Sequence, residues 1–582
     1  MASAHDNAFI EGRIGLPVRR VDAVAKAGGY SSYIADMHID DLLYGRLIRS
    51  SMARAKITAI HLPELPDDFH FISSSDIPAG GENRLHMITD DWKVFAGDEV
   101  RFIGETIGVL VGPDRDRLSA LADQVSLTYE ALEPAFTIDE GLELKGGAFV
   151  RDDNLYADYH LKKGDPDRAF AGAERVIEDC IETGFQEHAY MEPQGMVGYV
   201  EDGNYVITAS CQCPYYIRKA VAGAVNAKPE QIIVRQAVTG GAFGGKEHFP
   251  DVIAGPLIVA LHAIGKPIQI IFERSEDISY TAKRHPSRIR FRTALDGSNR
   301  IIGMDIDVAI NAGGYQSCSH IVLQRAMFSV NSVYDIPNVR VRGRAVATNT
   351  FPSDAFRGFG APQGIFACEM HMSHIAREIG VDDAELKKSY FIRQNGMTVT
   401  NGSIHEDVKL PEMIRKAYEI SGYLEKNREY GTGSGRAVAI ACYNHGGGFT
   451  GDGEKTIIKA KVRLSRHGEQ VTIAVSNVEM GQGFETTASK VAAKVLGIPL
   501  AQVTYATPDT SIVPNSGPTV ASRSMMVVGK LIERAAELLK LQWNQPGDIT
   551  AETDYQQPPG IEWDSETFQG DAYPSYGWGV CA

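Results

Sequence analysis

The sequence predicts a mixed α/β (α+β) protein built from several packed domains, and three observations predict it. At 582 residues the chain is too long for a single hydrophobic core. Short β-rich runs alternate with segments of helical periodicity along its length. Glycine-rich loops stand directly before two of the helical segments, which marks places where backbone and ligand approach closely.

Residues 18 to about 140 read as one α/β unit. The runs Ile57-Thr-Ala-Ile-His61 and Thr106-Ile-Gly-Val-Leu-Val111 precede an amphipathic helix over 115–125, and the strand Val125-Ser-Leu-Thr-Tyr129 follows. The polar Gly- and Asp-rich stretch 146–165 reads as a linker. Beyond it come the strand Ile232-Ile-Val-Arg-Gln-Ala-Val238, an apolar helix over 255–263 and the strand Ile268-Gln-Ile-Ile-Phe-Glu273. Helices are expected over 364–379 and 487–496, and strands near 457–464 and 471–478 suggest a second α/β half. No short-period repeat is present.

Lys plus Arg (58) against Asp plus Glu (74) gives a formal charge of −16, which argues against a nucleic-acid partner. No apolar run approaches membrane-spanning length, and Met1-Ala-Ser-Ala-His-Asp6 lacks the basic and apolar regions of a signal peptide. Seven scattered cysteines suit a reducing, cytoplasmic setting. The closest pair is Cys211-Gln-Cys213, so no run is spaced to hold an iron–sulfur cluster. Gly240-Gly-Ala-Phe-Gly-Gly245 follows a strand, but its glycine spacing is not that of a dinucleotide fingerprint. Any electron carriers are expected on other chains.

Four loops carry the chemistry. They are Thr239-Gly-Gly-Ala-Phe-Gly-Gly-Lys-Glu247, Ala355-Phe-Arg-Gly-Phe-Gly-Ala-Pro-Gln363, Glu479-Met-Gly-Gln-Gly-Phe-Glu485 and Pro514-Asn-Ser-Gly-Pro-Thr-Val-Ala-Ser-Arg-Ser524. Each sets flexible backbone N–H groups beside Lys, Arg, Gln or hydroxyl side chains, as a large anionic ligand with a phosphate tail requires. Helix N-termini after the loops would add partial positive charge.

With Gln186-Glu-His-Ala-Tyr-Met-Glu192 before them, the loops give the chain a resemblance to the molybdenum-cofactor subunit of the xanthine dehydrogenase and aldehyde oxidase family. Arg20-Val-Asp-Ala-Val-Ala-Lys-Ala-Gly-Gly-Tyr30 and Ile48-Arg-Ser-Ser-Met-Ala-Arg-Ala55 look like the start of that family's first domain. The resemblance implies an α/β-hammerhead-like domain over 1–140, a first molybdopterin-binding domain over 141–395 and a second, incomplete one over 396–582. It implies molybdopterin, bare or as its cytosine dinucleotide, with the metal held by no side chain directly. It also implies 2Fe-2S clusters and FAD on partner subunits.

Residue roles follow from the same resemblance, each beside a bland alternative. Gln186 matches a glutamine that hydrogen-bonds an oxygen ligand of the metal; alone it would be a surface amide. Gly241, Ala242, Phe243 and Gly244 match the loop that approaches the metal ligands; alone they would be a turn. Arg357 matches an arginine at the substrate's polar edge and the cofactor, and Phe359 an aromatic wall; the alternatives are a solvated ion pair and a core ring. Phe449 and Tyr443 are both open as the second wall. Gly481, Gln482, Gly483, Thr519, Ser522, Arg523 and Ser524 match the region holding the pyranopterin and its tail. Glu247 and Arg325 match a glutamate and an arginine that purine-hydroxylating members set on opposite edges of the substrate; the alternative is a structural ion pair.

The implied reaction is hydroxylation of a purine or similar N-heterocycle with water as oxygen donor. Aldehyde or nicotinate-type hydroxylation, or mere cofactor holding, are the other readings. The family's general base is a glutamate in a late Gly-Glu motif, and no counterpart is found. The run Ala572-Tyr-Pro-Ser-Tyr-Gly-Trp-Gly-Val-Cys-Ala582 reads as a strand that stops part-way, leaving an unpaired edge. Either another chain completes the last domain or the sequence is truncated; a small C-terminal partner chain is expected.

Overall fold

Thr106–Gly112 is buried at every position, as a strand covered on both faces must be. It belongs to a seven-stranded mixed sheet in the order Ile232–Gln236, Asn204–Ala209, Gly195–Glu201, Ile268–Ile271, Leu43–Arg49, Thr106–Gly112, His70–Ile72. The computed structural model describes residues 14–430 and 433–582; the opening run read for a signal peptide lies outside the described residues. The sheet takes strands from both sides of position 140, so the early α/β unit and the later region share one core. The helix Phe249–Ile264 packs against it. That helix is buried from Phe249 to Leu261, which explains an apolar composition all the way round. Gly198 lets it come close, since a Cβ there would lie 3.2 Å from Leu257.

A second sheet of five strands runs Leu155–Lys163, Val339–Ala347, Ile301–Gly313, Ser287–Leu295, Arg175–Thr183. Its first strand corrects the linker expected over 146–165. Leu155, Ala157 and Leu161 turn inwards, while outward Asp158 binds Arg342 at 2.7 Å. Polar composition there reflects one solvated face of an edge strand, not loss of structure. Helices Ser319–Ser329 and Ala361–Ile379 pack together beside this sheet.

The expected second half is present: a four-stranded sheet (Val503–Tyr505, Gln470–Ala474, Lys461–His467, Ile549–Asp554) packed by helices Phe484–Leu496 and Lys530–Leu541. Two boundaries differ from expectation. Residues Glu454–Ile458 form a π-helical turn, so the strand begins only at Lys461, and the next strand ends at Ala474. The run 576–581 is a strand paired antiparallel with Ala441–Gly446. One of its edges is therefore filled, contrary to the expectation of an unpaired end strand. Among the described residues, no helix is long and apolar enough to cross a membrane.

Candidate active site

The four loops, far apart in sequence, meet around one cavity of about 640 Å³. Cross-ties hold them there. Gln212 accepts from the Gly244 N–H at 2.9 Å and donates to the Thr519 carbonyl at 2.9 Å, joining the first loop to the fourth. Arg357 N–H donates to the Phe243 carbonyl at 2.9 Å, joining second to first. Val478 N–H donates to Thr519 Oγ1 at 2.8 Å, and Asn477 Nδ2 to Ser524 Oγ at 3.2 Å, joining third to fourth. Gly244 has no room for a side chain, because a Cβ would lie 2.7 Å from the Ala355 carbonyl oxygen.

Four residues that line the cavity have left-handed backbone. Phe243, Phe359, Ala521 and Ser522 all have φ between +51° and +56°, a region that side chains of this kind seldom enter. Such conformations cost on the order of 1–3 kcal/mol each and persist where surrounding structure imposes them, as at binding sites.

The predicted residues divide into two groups. Ala242, Phe243, Gly244, Glu247, Arg325, Arg357, Phe359, Gly481, Gln482, Thr519, Ser522 and Ser524 line the cavity; Gln186, Gly241, Phe449, Tyr443, Gly483 and Arg523 do not. Gln186 touches it only indirectly. Arg284 donates to Gln186 Oε1 at 2.5 Å and to the Arg357 carbonyl at 2.8 Å, while its guanidinium stacks on Phe356 at 4.0 Å. Phe449 lies against Arg523, 5.9 Å from ring centroid to guanidinium, which removes it as a wall of this cavity.

Arg523 has no exposed surface and is spent inside the protein. It forms a fork with Glu454 at 2.5 and 2.9 Å and donates to the Pro518 carbonyl at 3.0 Å. Its side chain holds the fourth loop's shape and, being fully buried, presents no donor at the surface for a phosphate tail. Lys246 is likewise turned inwards, onto Glu192 at 2.9 Å and Ser210 at 2.8 Å. The third loop departs further from expectation. Glu479 accepts from the N–H groups of Gly481 (2.8 Å), Gly483 (3.0 Å) and Glu485 (3.1 Å). An internal carboxylate thus occupies the N-terminus of the helix Phe484–Leu496, where an anionic ligand was expected.

Free donors remain elsewhere. The N–H groups of Val520, Ala521 and Ser522 make no hydrogen bond among the described residues. The Arg357 guanidinium has no hydrogen bond or ion pair there either. At Gly481 (φ +111°) a Cβ would meet nothing within 4 Å, so the backbone borders open space. Two arginines and one carboxylate, Glu247, line the cavity of a strongly acidic chain. Burial pushes the Glu247 carboxyl up to about 7. The same cause, with Arg325 nearby, lowers His445 to about 4, so that its imidazole is neutral. Arg325 donates to the carbonyls of Gly448 (2.9 Å) and Gly446 (3.2 Å), yet no ion pair joins it to Glu247 among the described residues.

This donor set fits an anionic pyranopterin. Free amides at 520–522, the Ser522 and Ser524 hydroxyls and the Arg357 guanidinium all line the cavity, and the Gln482 amide, though it lines it too, already donates to the Val478 carbonyl and accepts from the Met480 N–H, each at 2.8 Å.

Family models match in the same order as the folds. Residues 28–133 match the aldehyde oxidase and xanthine dehydrogenase a/b hammerhead domain, and 149–391 and 413–548 match two molybdopterin cofactor-binding domains. The chain belongs to the molybdenum-cofactor-binding family of xanthine dehydrogenases and aldehyde oxidases. It is 31% identical over 541 residues to a xanthine dehydrogenase of Calliphora vicina, covering 90% of this chain and 39% of that protein. A xanthine dehydrogenase of Oryza sativa subsp. japonica is 31% identical over 90% of this chain and 38% of its own. The chain therefore spans about two-fifths of the length of these relatives. An aldehyde oxidoreductase from Desulfovibrio gigas shares the fold, with a TM-score of 0.86 at 24% identity over 98% of this chain and 66% of that one. So does a quinoline 2-oxidoreductase from Pseudomonas putida 86, with a TM-score of 0.83 at 23% identity over 91% and 71%.

Residues that sequence reasoning missed are mostly the ones that shape the family's loops here. Gln212, His445, Val520 and Ala521 line the cavity. Gln212 sits between Cys211 and Cys213, just past the strand Asn204–Ala209, and nothing in its type separates it from the neighbouring Thr208 and Ser210. The cluster Asp179, His371 and His374 brings three possible metal ligands together. Its donor atoms are hydrogen-bonded to one another, at 2.5 and 2.8 Å, which accounts for the cluster without an ion.

Proposed function

We propose that this chain is the cofactor- and substrate-holding part of a molybdenum hydroxylase that oxidises a purine or similar N-heterocycle, with water as oxygen donor. Electrons would leave through 2Fe-2S clusters and FAD on partner chains in a cytoplasmic assembly. The observation that carries the substrate class is that an acidic and a cationic side chain, Glu247 and Arg325, line one cavity without being paired with each other. A flat ring offering both N–H and carbonyl groups would satisfy both, whereas a simple aldehyde would leave one buried charge uncompensated.

Molybdopterin, bare or as the dinucleotide, would lie along the 520–524 wall with Gln482 and Thr519, beside Ala242, Phe243 and Gly244. Bound there, it supplies the two-electron oxidation. The protein's own groups do the positioning. Phe359 and Phe243 border the slot, Glu247 meets a ring N–H, and Arg325 and Arg357 stabilise negative charge developing on ring nitrogen or oxygen. Gln186 acts from a distance through Arg284.

A second reading, an aldehyde or nicotinate-type hydroxylase, is favoured by Arg325 already donating to the Gly446 and Gly448 carbonyls. The deciding experiment is metal analysis and dye reduction by the purified assembly with xanthine, hypoxanthine, nicotinate and an aromatic aldehyde. Purine-dependent reduction supports the first reading; reduction by the aldehyde alone refutes it.

A further inference from the structure

Directly behind Glu247 lies His248, only 2% exposed, with its ring stacked on Tyr216 at 5.5 Å and 10°. Its Nδ1 meets Asp354 Oδ1 at 3.1 Å. Asp354 also accepts from Cys318 Sγ at 2.5 Å, from the Ala355 N–H at 2.7 Å and from Ser317 Oγ at 2.9 Å. A carboxylate surrounded by that many donors is held as an anion, and it requires the proton on His248 Nδ1. The other ring nitrogen, Nε2, is buried with no hydrogen-bond partner among the described residues and stands 3.9 Å from Glu247 Oε1. Asp354 and Glu247 border two of the four glycine loops, so this line of groups ties charge at the cavity wall to the loop framework.

We propose that His248, fixed by Asp354, is a positioning residue that faces Glu247 as a cation and shifts that carboxyl from its neutral acid towards the carboxylate, so that the cavity selects rings presenting an N–H at that edge. The selection rests on the substrate reading above; the coupling between the two side chains does not. Asp354 pushes His248 up to about 9 against the opposing effect of burial, so the imidazolium persists through neutral pH. Burial alone drives Glu247 towards its neutral form, and His248 is the first group that resists it. The other titratable groups facing His248 are Asp251 on its own segment, Cys318 and His320 at the start of the helix Ser319–Ser329, and Tyr216 on the helix Pro214–Ala222. Among these neutral or acidic groups and one histidine lowered to about 4, none replaces the charge of His248. A thiol, a phenol or a buried acid at these positions cannot hold Glu247 ionised.

The test reads the two groups directly in the purified full-length chain. With carbon-13-labelled glutamate, the Glu247 carboxyl is followed by isotope-edited infrared titration and assigned by its disappearance in Glu247→Gln. In His248→Asn its midpoint should rise by roughly one pH unit or more, because the cation that opposes burial is gone while the Asp354 charge stays. An unchanged or lowered midpoint in His248→Asn overturns the proposal. If the variants fold poorly, nitrogen-15 NMR of His248 in the unmodified chain decides: both ring nitrogens protonated at pH 7 supports it, and a neutral imidazole overturns it. No substrate enters these measurements. Intact coupling in a chain whose assembly ignores purines would therefore sink the substrate reading and leave the coupling standing.

Discussion

Replacing Arg523 with Ala tests whether this residue holds the protein or the cofactor. The substitution removes both bonds to Glu454 and the one to Pro518, and it leaves a carboxylate that is 4% exposed without its partner. Breaking a buried pair in this way costs about 3–5 kcal/mol. A second route to the magnitude agrees. Neutralising a stranded carboxyl of ordinary pKa about 4.3 at pH 7 costs about 3.7 kcal/mol, at 1.36 kcal/mol per pH unit. The assay is thermal and urea unfolding of the purified chain at pH 7 and again at pH 5.5. The deficit should be several kcal/mol at pH 7 and should shrink by about 2 kcal/mol at the lower pH, where the carboxyl takes up its proton more cheaply. Replacing both partners, Arg523→Met with Glu454→Met, should recover most of the loss because no buried charge remains. A loss below about 1 kcal/mol, with the protein folded but unable to retain pterin, would refute the structural role.

Arg357→Ala should lower catalytic efficiency of the assembly by roughly tenfold or more while molybdenum content is kept, since it removes a charged donor that has no partner among the described residues; parallel loss of metal would place it in cofactor binding. Glu247→Ala and Arg325→Met should each lower the ratio of efficiencies for xanthine over an aromatic aldehyde, and equal losses on both substrates would make the two residues structural. Glu247→Gln should change stability with pH. The carboxyl is raised from 4.5 to about 7 by burial, so its ionisation weakens the fold progressively above about 4.5. The amide should therefore be the more stable form above pH 7 and lose that advantage below about pH 4.5, as read by Tm across pH. Gln212→Leu should loosen the joint between the first and fourth loops, leaving the Gly244 N–H and the Thr519 carbonyl unpaired at about 1–3 kcal/mol each; faster hydrogen exchange at 243–245 and 519–522 is the readout.

Local sequence determined a good deal of this protein. Glycine at 241, 244, 358, 360, 481 and 483 marks backbone with φ between +84° and +111°, which those loops adopt. The apolar run around 255–263 lies in a helix that is buried from Phe249 to Leu261, and alternation marks the strand in the polar stretch 155–163. These are properties of residue type and spacing, and they survive any packing.

Tertiary structure decided which way the polar side chains face. Lys246, Arg523 and Glu479 occupy the same loops as Arg357 and Ser522, and nothing in their local sequence separates them. Lys246 turned to Glu192, Arg523 to Glu454, and Glu479 took the amides of its own loop and Arg20 from the far end of the chain. Each choice was fixed by a partner that the surrounding residues do not announce, up to 459 positions away for Arg20 and Glu479. The physical reason is that a buried charge must be paired wherever packing happens to bring the partner. A glycine loop in sequence shows where a ligand can come close, and the packed chain decides which donors are still free when it does.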